Sequence, residues 1–178
     1  MKKEIVIAGF GGQGVMSIGK SLVEAGLEEG LEVSWVPSYG PEMRGGTANC
    51  SVIMSDEPVG SPIVYHPTEL IAMNGPSLKK FEDEVVPGGT VFLNSSIIKE
   101  KVDREDLRVI QVPCDTIANE LGNGKVANMV MLGAVLEKTH IVSPDTALSC
   151  LRASFGEHKA HLIPVNAEAL QKGAEAVR

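Results

Sequence analysis

The sequence predicts an α/β fold, a mostly parallel sheet flanked by helices, with a helical C-terminal third. Three observations carry that expectation. Short runs rich in Val and Ile alternate with stretches of helical periodicity, as strands joined by crossover helices do. The first run, IVIAGF, breaks into glycines and then resumes at helical spacing. From Cys114 onward the patterns are helical.

The elements follow in order. Glu4 to Ala8 reads as a buried strand, the glycine loop follows, and the next helix offers Val15, Ile18, Leu22 and Ala25 as its core face. Gly30 ends that helix and Glu32 to Val36 makes a second strand, so the start of the chain reads as one βαβ unit. PSYGPEMRGG, from Pro37 to Gly46, is punctuation by composition, and TANCSVIMS alternates as a strand should. Further strands are expected at Leu70 to Met73, Thr90 to Leu93 and Arg108 to Val112, with a helix from Ser77 to Val85 that stops before PGG. CDTIANEL is helical with GNG after it. KVANMVMLGAVLEKT is helical and apolar almost all round, so it is either central or covered by a partner, and Val126 to Leu136 is expected to be a partner contact. Ser143 and Pro144 form a cap and first-turn pair for a helix with Leu148, Leu151 and Phe155 on one face. The last helix places Leu170, Ala174 and Val177 at helical spacing.

The 178 residues are expected to form a single domain, 1–178, because a chain of this size buries enough surface to be stable alone. A net charge of −7 speaks against nucleic acid, whose binding needs cationic neutralisation of phosphates. Cys50, Cys114 and Cys150 are odd in number and far apart, without a C-x-x-C, so they signal neither a disulfide framework nor a metal or cluster site; they read as buried thiols in a reducing compartment. The N-terminal apolar run is interrupted by glycines, so it reads as neither a signal peptide nor a membrane span, and a cytoplasmic protein is expected.

Gly9, Gly11 and Gly14 satisfy G-x-G-x-x-G between a strand and a helix, where backbone amides and the positive helix end can cradle a phosphate. A dinucleotide would also need an acidic residue at the end of the second strand to hold ribose hydroxyls. That position reads Val36, Pro37, Ser38, and Glu32 stands at the strand's start. Gln13 and Gly14 occupy the place of G-K-[ST], so the loop is not a triphosphate-hydrolysing one either. Three readings stay open: an anion site for another phosphate-bearing molecule, a close approach by a partner's backbone, or a tight turn serving only helix–sheet packing.

The loop after the second strand carries Tyr39, Glu42 and Arg44 among glycines and prolines. Loops at the carboxyl ends of strands are where ligands and partners meet an open α/β sheet. An Arg held there suits bidentate pairing with a carboxylate or phosphate, unless it pairs with Glu42 in its own loop. His66, His140, His158 and His161 lack metal-ligand spacing, and Ser17 and Ser38 lack a nucleophile elbow. No catalytic residue and no metal ligand is assigned.

Taken in order, GFGGQGV, PSYGPEMRGGTANCSVIMSDEPVGSP, LIAMNGPSLKKF and NELGNGKVANMVMLGAVLEKT closely resemble the gamma subunit of 2-oxoacid:ferredoxin oxidoreductases, and most of all the 2-oxoglutarate type. The resemblance spans nearly the whole chain and implies a Rossmann-like fold. It also implies a multisubunit enzyme that decarboxylates a 2-oxoacid oxidatively, joins the acyl group to coenzyme A and reduces ferredoxin. The thiamine diphosphate, its Mg and the iron–sulfur clusters would then sit in partner subunits, thiamine-binding alpha and beta and ferredoxin-like delta, with no cofactor held firmly by this chain. Gly9, Gly11, Gly12, Gln13 and Gly14 carry over as the loop that meets a coenzyme A phosphate or a partner. Ser38, Tyr39, Gly40, Glu42, Arg44, Gly45 and Gly46 carry over as a partner-facing loop. The competing classes are a dinucleotide-dependent oxidoreductase and a stand-alone binding module for another phosphorylated ligand.

Overall fold

The computed structural model describes residues 1–39 and 47–178. The strands are β1 (Lys2–Phe10), β2 (Glu32–Tyr39), β3 (Thr47–Ser55), β4 (Glu69–Ala72), β5 (Thr90–Asn94) and β6 (Arg108–Val112). The helices are α1 (Val15–Glu28), α2 (Gly75–Phe81), α3 (Cys114–Glu120), α4 (Ala127–Thr139), α5 (Pro144–Phe155) and α6 (Ile163–Glu175). Single 3-10 turns stand at Glu82–Glu84, Gly124–Val126 and Ala160–Leu162.

One sheet holds the strands in the order β2-β3-β1-β4-β5-β6. β1, β4, β5 and β6 run parallel, whereas β3 is antiparallel to both β1 and β2. The expected βαβ unit therefore exists with β3 inserted between its two strands. Burial explains the insertion. β3 is buried along most of its length, as a central strand should be, while β2 is largely exposed and contains Pro37, which an edge strand tolerates because it cannot donate to a ladder on both sides.

The sheet divides two cores. Ile5 and Ile7 of β1 face the larger one with α1, α4, α5 and α6, and Val6 faces a smaller one closed by Leu78 of α2 and by Ile98 and Leu107. Burial on both faces is why these strands read as nearly continuous apolar runs. α2 starts two residues before the expected Ser77, because Asn74 caps it by accepting from Ser77 N at 2.8 Å and Pro76 follows in the first turn. It ends at Phe81 and tightens into the 3-10 turn, short of Val85.

α4 corrects the expectation of a partner contact at Val126–Leu136. Its residues Met129–Leu136 are all buried within this chain. The reason lies at two glycines. A Cβ on Gly133 would sit 1.9 Å from Leu170 O, and one on Gly173 would sit 1.8 Å from Val130 O. α4 and α6 thus cross backbone against backbone, and α4 is the central helix of its layer.

Candidate functional site

All parallel strands deliver their carboxyl ends to one edge of the sheet. Gly9, Ala48 and Tyr39 lie in one row across β1, β3 and β2, so the glycine loop and the end of β2 share that edge. Ser38 and Tyr39, read above as loop, are the last residues of β2, because β3 supplies the strand to pair them; both are exposed. Gly40, Glu42, Arg44, Gly45 and Gly46 lie outside the described residues.

The loop from Gly11 to Gly14 owes its shape to Gln13. Its Oε1 accepts from Phe10 N at 2.7 Å and from Asn74 Nδ2 at 3.1 Å, and its Nε2 donates to Met73 O at 3.0 Å. The side chain is a staple between the β1–α1 and β4–α2 junctions, with both ends of its amide already bonded. Gly12 and Gly14 have φ of 97° and 75°, values that disfavour side chains. Gly9 has no room for one, since a Cβ there would meet Gln13 Oε1 at 2.7 Å and Val15 Cγ1 at 2.9 Å. Gly14 is also the N-cap of α1 without a side-chain cap, which leaves first-turn amides available to an acceptor.

Four residues that sequence reasoning did not single out complete this edge. Asn94, fully buried at the end of β5, donates from Nδ2 to Asp115 Oδ2 at 2.6 Å and accepts at Oδ1 from Cys114 N at 3.2 Å, tying β5 to the start of α3. Asn128, near the start of α4, is seated against Gly14, where an added Cβ would fall 2.5 Å from its Nδ2. A cleft of about 90 Å³ runs between Gly12, Gln13, Met73, Asp115, Lys125 and Asn128. Their signal was positional: each polar residue stands at the end of a strand's apolar run or at the start of a helix, in its first turn or the turn before it.

Across Lys125 and Asn128 the cleft adjoins a larger pocket of about 400 Å³ between α1, α4, α5 and α6. Neither space is lined by a histidine or a cysteine, and Asp115 is the one carboxylate among the described lining residues.

The residues do not fit a metal or cluster. Among the described residues no group of three or more His, Cys, Asp and Glu side chains converges. Burial pushes the Cys50 thiol up to about 11, against a smaller opposing pull from the Trp35 indole, and pushes Cys114 further up. The dinucleotide reading fails on geometry as well. Neighbouring strands lie about 4.8 Å apart, so β2, two strands from β1, ends roughly 10 Å from the glycine loop's strand. Glu32 sits at the opposite edge, in the row of Ser55 and Lys2. No helix among the described residues is long and apolar enough to cross a membrane.

Comparison with known proteins agrees with this frame. The chain is 41% identical over 175 residues to the ketoisovalerate oxidoreductase subunit VorA of Methanothermobacter marburgensis, covering 98% of this chain and 36% of that protein. It thus spans about a third of the length of the VorA relatives. The 2-oxoglutarate synthase subunit KorC of the same organism is 38% identical over 161 residues, with 86% of this chain and 87% of that one covered. Among solved structures, the gamma subunit of a keto/oxoacid ferredoxin oxidoreductase from Geobacter sulfurreducens superposes with a TM-score of 0.82 at 28% identity over 98% of both chains. The 2-oxoglutarate:ferredoxin oxidoreductase of Magnetococcus marinus, solved with 2-oxoglutarate, coenzyme A and succinyl-CoA bound, superposes with a TM-score of 0.91 at 27% identity, covering 99% of this chain and 31% of that one. The pyruvate ferredoxin/flavodoxin oxidoreductase family matches residues 4–176, and the chain belongs to it, as a gamma-subunit domain of the 2-oxoacid:ferredoxin oxidoreductases.

Proposed function

We propose that this chain is the gamma subunit of a cytoplasmic 2-oxoglutarate:ferredoxin oxidoreductase. In that complex, partner subunits hold the thiamine diphosphate, its Mg and the iron–sulfur clusters, and this chain contributes to coenzyme A binding. The observation that carries the reading is the end-to-end match with KorC, in which each chain covers more than four-fifths of the other. The somewhat higher identity to VorA fits a chain that does not read the 2-oxoacid side chain, so identity alone does not rank the substrates.

Coenzyme A meets the carboxyl edge of the sheet in this account. The uncapped start of α1 at Gly14 and the Lys125 side chain at the shared wall provide the positive potential a phosphate needs. Gln13 shapes the loop from behind, and Asp115, bonded to Asn94, marks the side of the cleft an anion avoids. The exposed Ser38 and Tyr39, with Gly40, Glu42, Arg44, Gly45 and Gly46 beyond them, face the thiamine-bearing subunits, where Arg44 pairs with a partner carboxylate. Ferredoxin is the electron acceptor of the whole assembly and docks elsewhere.

The test is a substrate panel on the assembled complex. Coenzyme A-dependent dye reduction with 2-oxoglutarate should exceed that with 2-oxoisovalerate or pyruvate by at least tenfold in kcat/KM. Equal or reversed preference refutes the 2-oxoglutarate assignment. Arg44→Ala should lower co-purification with the partner subunits; unchanged assembly and turnover remove Arg44 from the interface.

A further inference from the structure

The sequence contains two Asn-Gly steps, Asn74–Gly75 and Asn123–Gly124. Asparagine before glycine is the step most prone to lose its side-chain amide, because no side chain shields the backbone nitrogen that attacks it. The attack also needs the local backbone to rotate, so the surrounding structure decides which step reacts. Asn74 is locked. It is 2% exposed and caps α2, with Oδ1 accepting from Ser77 N at 2.8 Å and Nδ2 donating to Gln13 Oε1 at 3.1 Å. Gly75 is buried in the first turn of that helix, and Pro76 fixes the backbone after it. Rotation there would break the helix cap and the Gln13 staple together. Asn123 stands in the opposite condition. It lies between Gly122 and Gly124, both exposed, in the turn that joins α3 to α4. Gly122 has a φ of 78°, and an added Cβ there would meet nothing within 4 Å. The Asn123 Oδ1 accepts from Lys125 N at 3.0 Å and its backbone O from Val126 N at 3.2 Å, while its Nδ2 has no hydrogen-bond partner among the described residues. Opening this turn breaks those two bonds at the surface, whereas opening the other unpacks a buried junction.

We propose that Asn123 is a site of spontaneous deamidation, placed in the wall where the cleft and the larger pocket meet, and that Asn74 is not. Asn123 borders the pocket of about 400 Å³, Gly124 borders the cleft of about 90 Å³, and Lys125 borders both. The chemistry needs only water. The Gly124 backbone nitrogen, losing its proton to solvent base, attacks the Asn123 side-chain carbonyl carbon. The new C–N bond closes a succinimide ring, the bond from Cγ to Nδ2 breaks, and that nitrogen leaves as ammonia with a proton taken from solvent. Water then opens the ring at one of its two carbonyls, giving aspartate or isoaspartate, and nothing is oxidised or reduced. Either product sets a carboxylate beside Lys125, the one cation among the described residues lining the two spaces. Isoaspartate also adds a methylene to the backbone where the 3-10 turn Gly124–Val126 leads into α4. The modification weakens coenzyme A binding as the protein ages, a consequence that rests on the coenzyme A reading above.

The experiment is incubation of the full chain in mildly alkaline buffer, followed by peptide mass spectrometry for the gain of one mass unit and by labelling with an isoaspartyl methyltransferase. Asn123 should convert first, with Asn74 still intact when most of Asn123 has gone. Gly124→Ala should slow the conversion without disturbing the fold, since its methyl would meet only the Asn119 side chain at 3.1 Å. In urea the gap between the two steps should close. Conversion of Asn74 at the rate of Asn123 in the folded chain, an Asn123 that stays intact, or a gap that persists in urea overturns the proposal. Calorimetry on the assembled complex then separates the two readings: Asn123→Asp should weaken coenzyme A binding several-fold. If Asn123 converts in the folded chain but Asn123→Asp binds coenzyme A with unchanged affinity, the modification site stands and the coenzyme A reading of this wall falls.

Discussion

Replacing Gly133 by Ala tests the packing that holds α4 at the centre of its layer. The new methyl would lie 1.9 Å from Leu170 O and 2.7 Å from Leu170 C, both backbone atoms of α6. Ordinary C···O contact needs roughly 3.3 Å, so the helices would have to separate by about 1.4 Å. Neither can give locally, because α4 is buried from Met129 to Leu136 and Gly173 meets Val130 O in the same way at 1.8 Å. Ala favours a helix over Gly by about 1 kcal/mol, whereas overpacking a well-filled core costs about 1–3 kcal/mol or more. Two close backbone contacts put this site at the upper end, for a net loss of about 2–3 kcal/mol. In a chain of this size each kcal/mol moves Tm by about 2–4 °C, so calorimetry should read a fall of about 4–12 °C. Gly124→Ala is the control, since its methyl would meet only the Asn119 side chain at 3.1 Å. An unchanged or raised Tm for Gly133→Ala would refute the close crossing and reopen α4 as an external surface.

The other predictions follow from single sites. The Cys50 thiol is raised to about 11 by burial, so above the ordinary thiol range the unfolded chain loses a proton that the folded chain keeps. Stability is therefore intact below about pH 8.5 and declines as pH rises toward 11, and Cys50→Ala should lessen that decline in urea titrations, leaving the part that the buried Cys114 thiol contributes. A decline of the same slope in the variant would contradict it. Lys3 Nζ lies 2.5 Å from Glu69 Oε1, and Glu69 is 3% exposed. Lys3→Met should cost about 3 kcal/mol by removing the countercharge of that carboxylate, which keeps only the Thr68 hydroxyl as a side-chain donor, and adding Glu69→Gln should recover part of the loss; no recovery would show that the pair is not the cause. Gly14→Asp places a carboxylate at the loop proposed to meet the coenzyme A phosphate and against Asn128, so it should abolish coenzyme A binding and also lower Tm. Lys125→Ala, at an exposed side chain, should weaken binding with Tm unchanged; a Tm loss equal to that of Gly14→Asp would mean that only packing was perturbed.

The strands were legible because their apolar runs are short and bounded by glycine, proline or charged residues, and Thr47–Ser55 and Arg108–Val112 appear with the bounds the pattern predicts. Strand order was not, since placing β3 between β1 and β2 depends on which strand can bury both faces. Pro37 was the local hint that β2 is an edge. The character of α4 was ambiguous for a physical reason: an all-round apolar helix looks the same whether its own chain or another covers it. Gly133 and Gly173, both at helix-interior positions where Gly is costly, were the unread sign of a backbone crossing. The glycine loop was visible as a motif, but Asn128 and Lys125 lie more than a hundred residues away and reach it only through the fold. Gln13, which looked like a ligand-facing residue, is spent on Met73, Asn74 and Phe10.

The central claim, a supporting subunit that acts only within its complex, is tested most directly by reconstitution. The partner subunits should be assembled with and without this chain, and 2-oxoglutarate- and coenzyme A-dependent reduction of ferredoxin followed. Turnover is expected only when the chain is present, with none from the chain alone. Full turnover without it, or reduction of an acceptor by the lone chain with a 2-oxoacid, would contradict it.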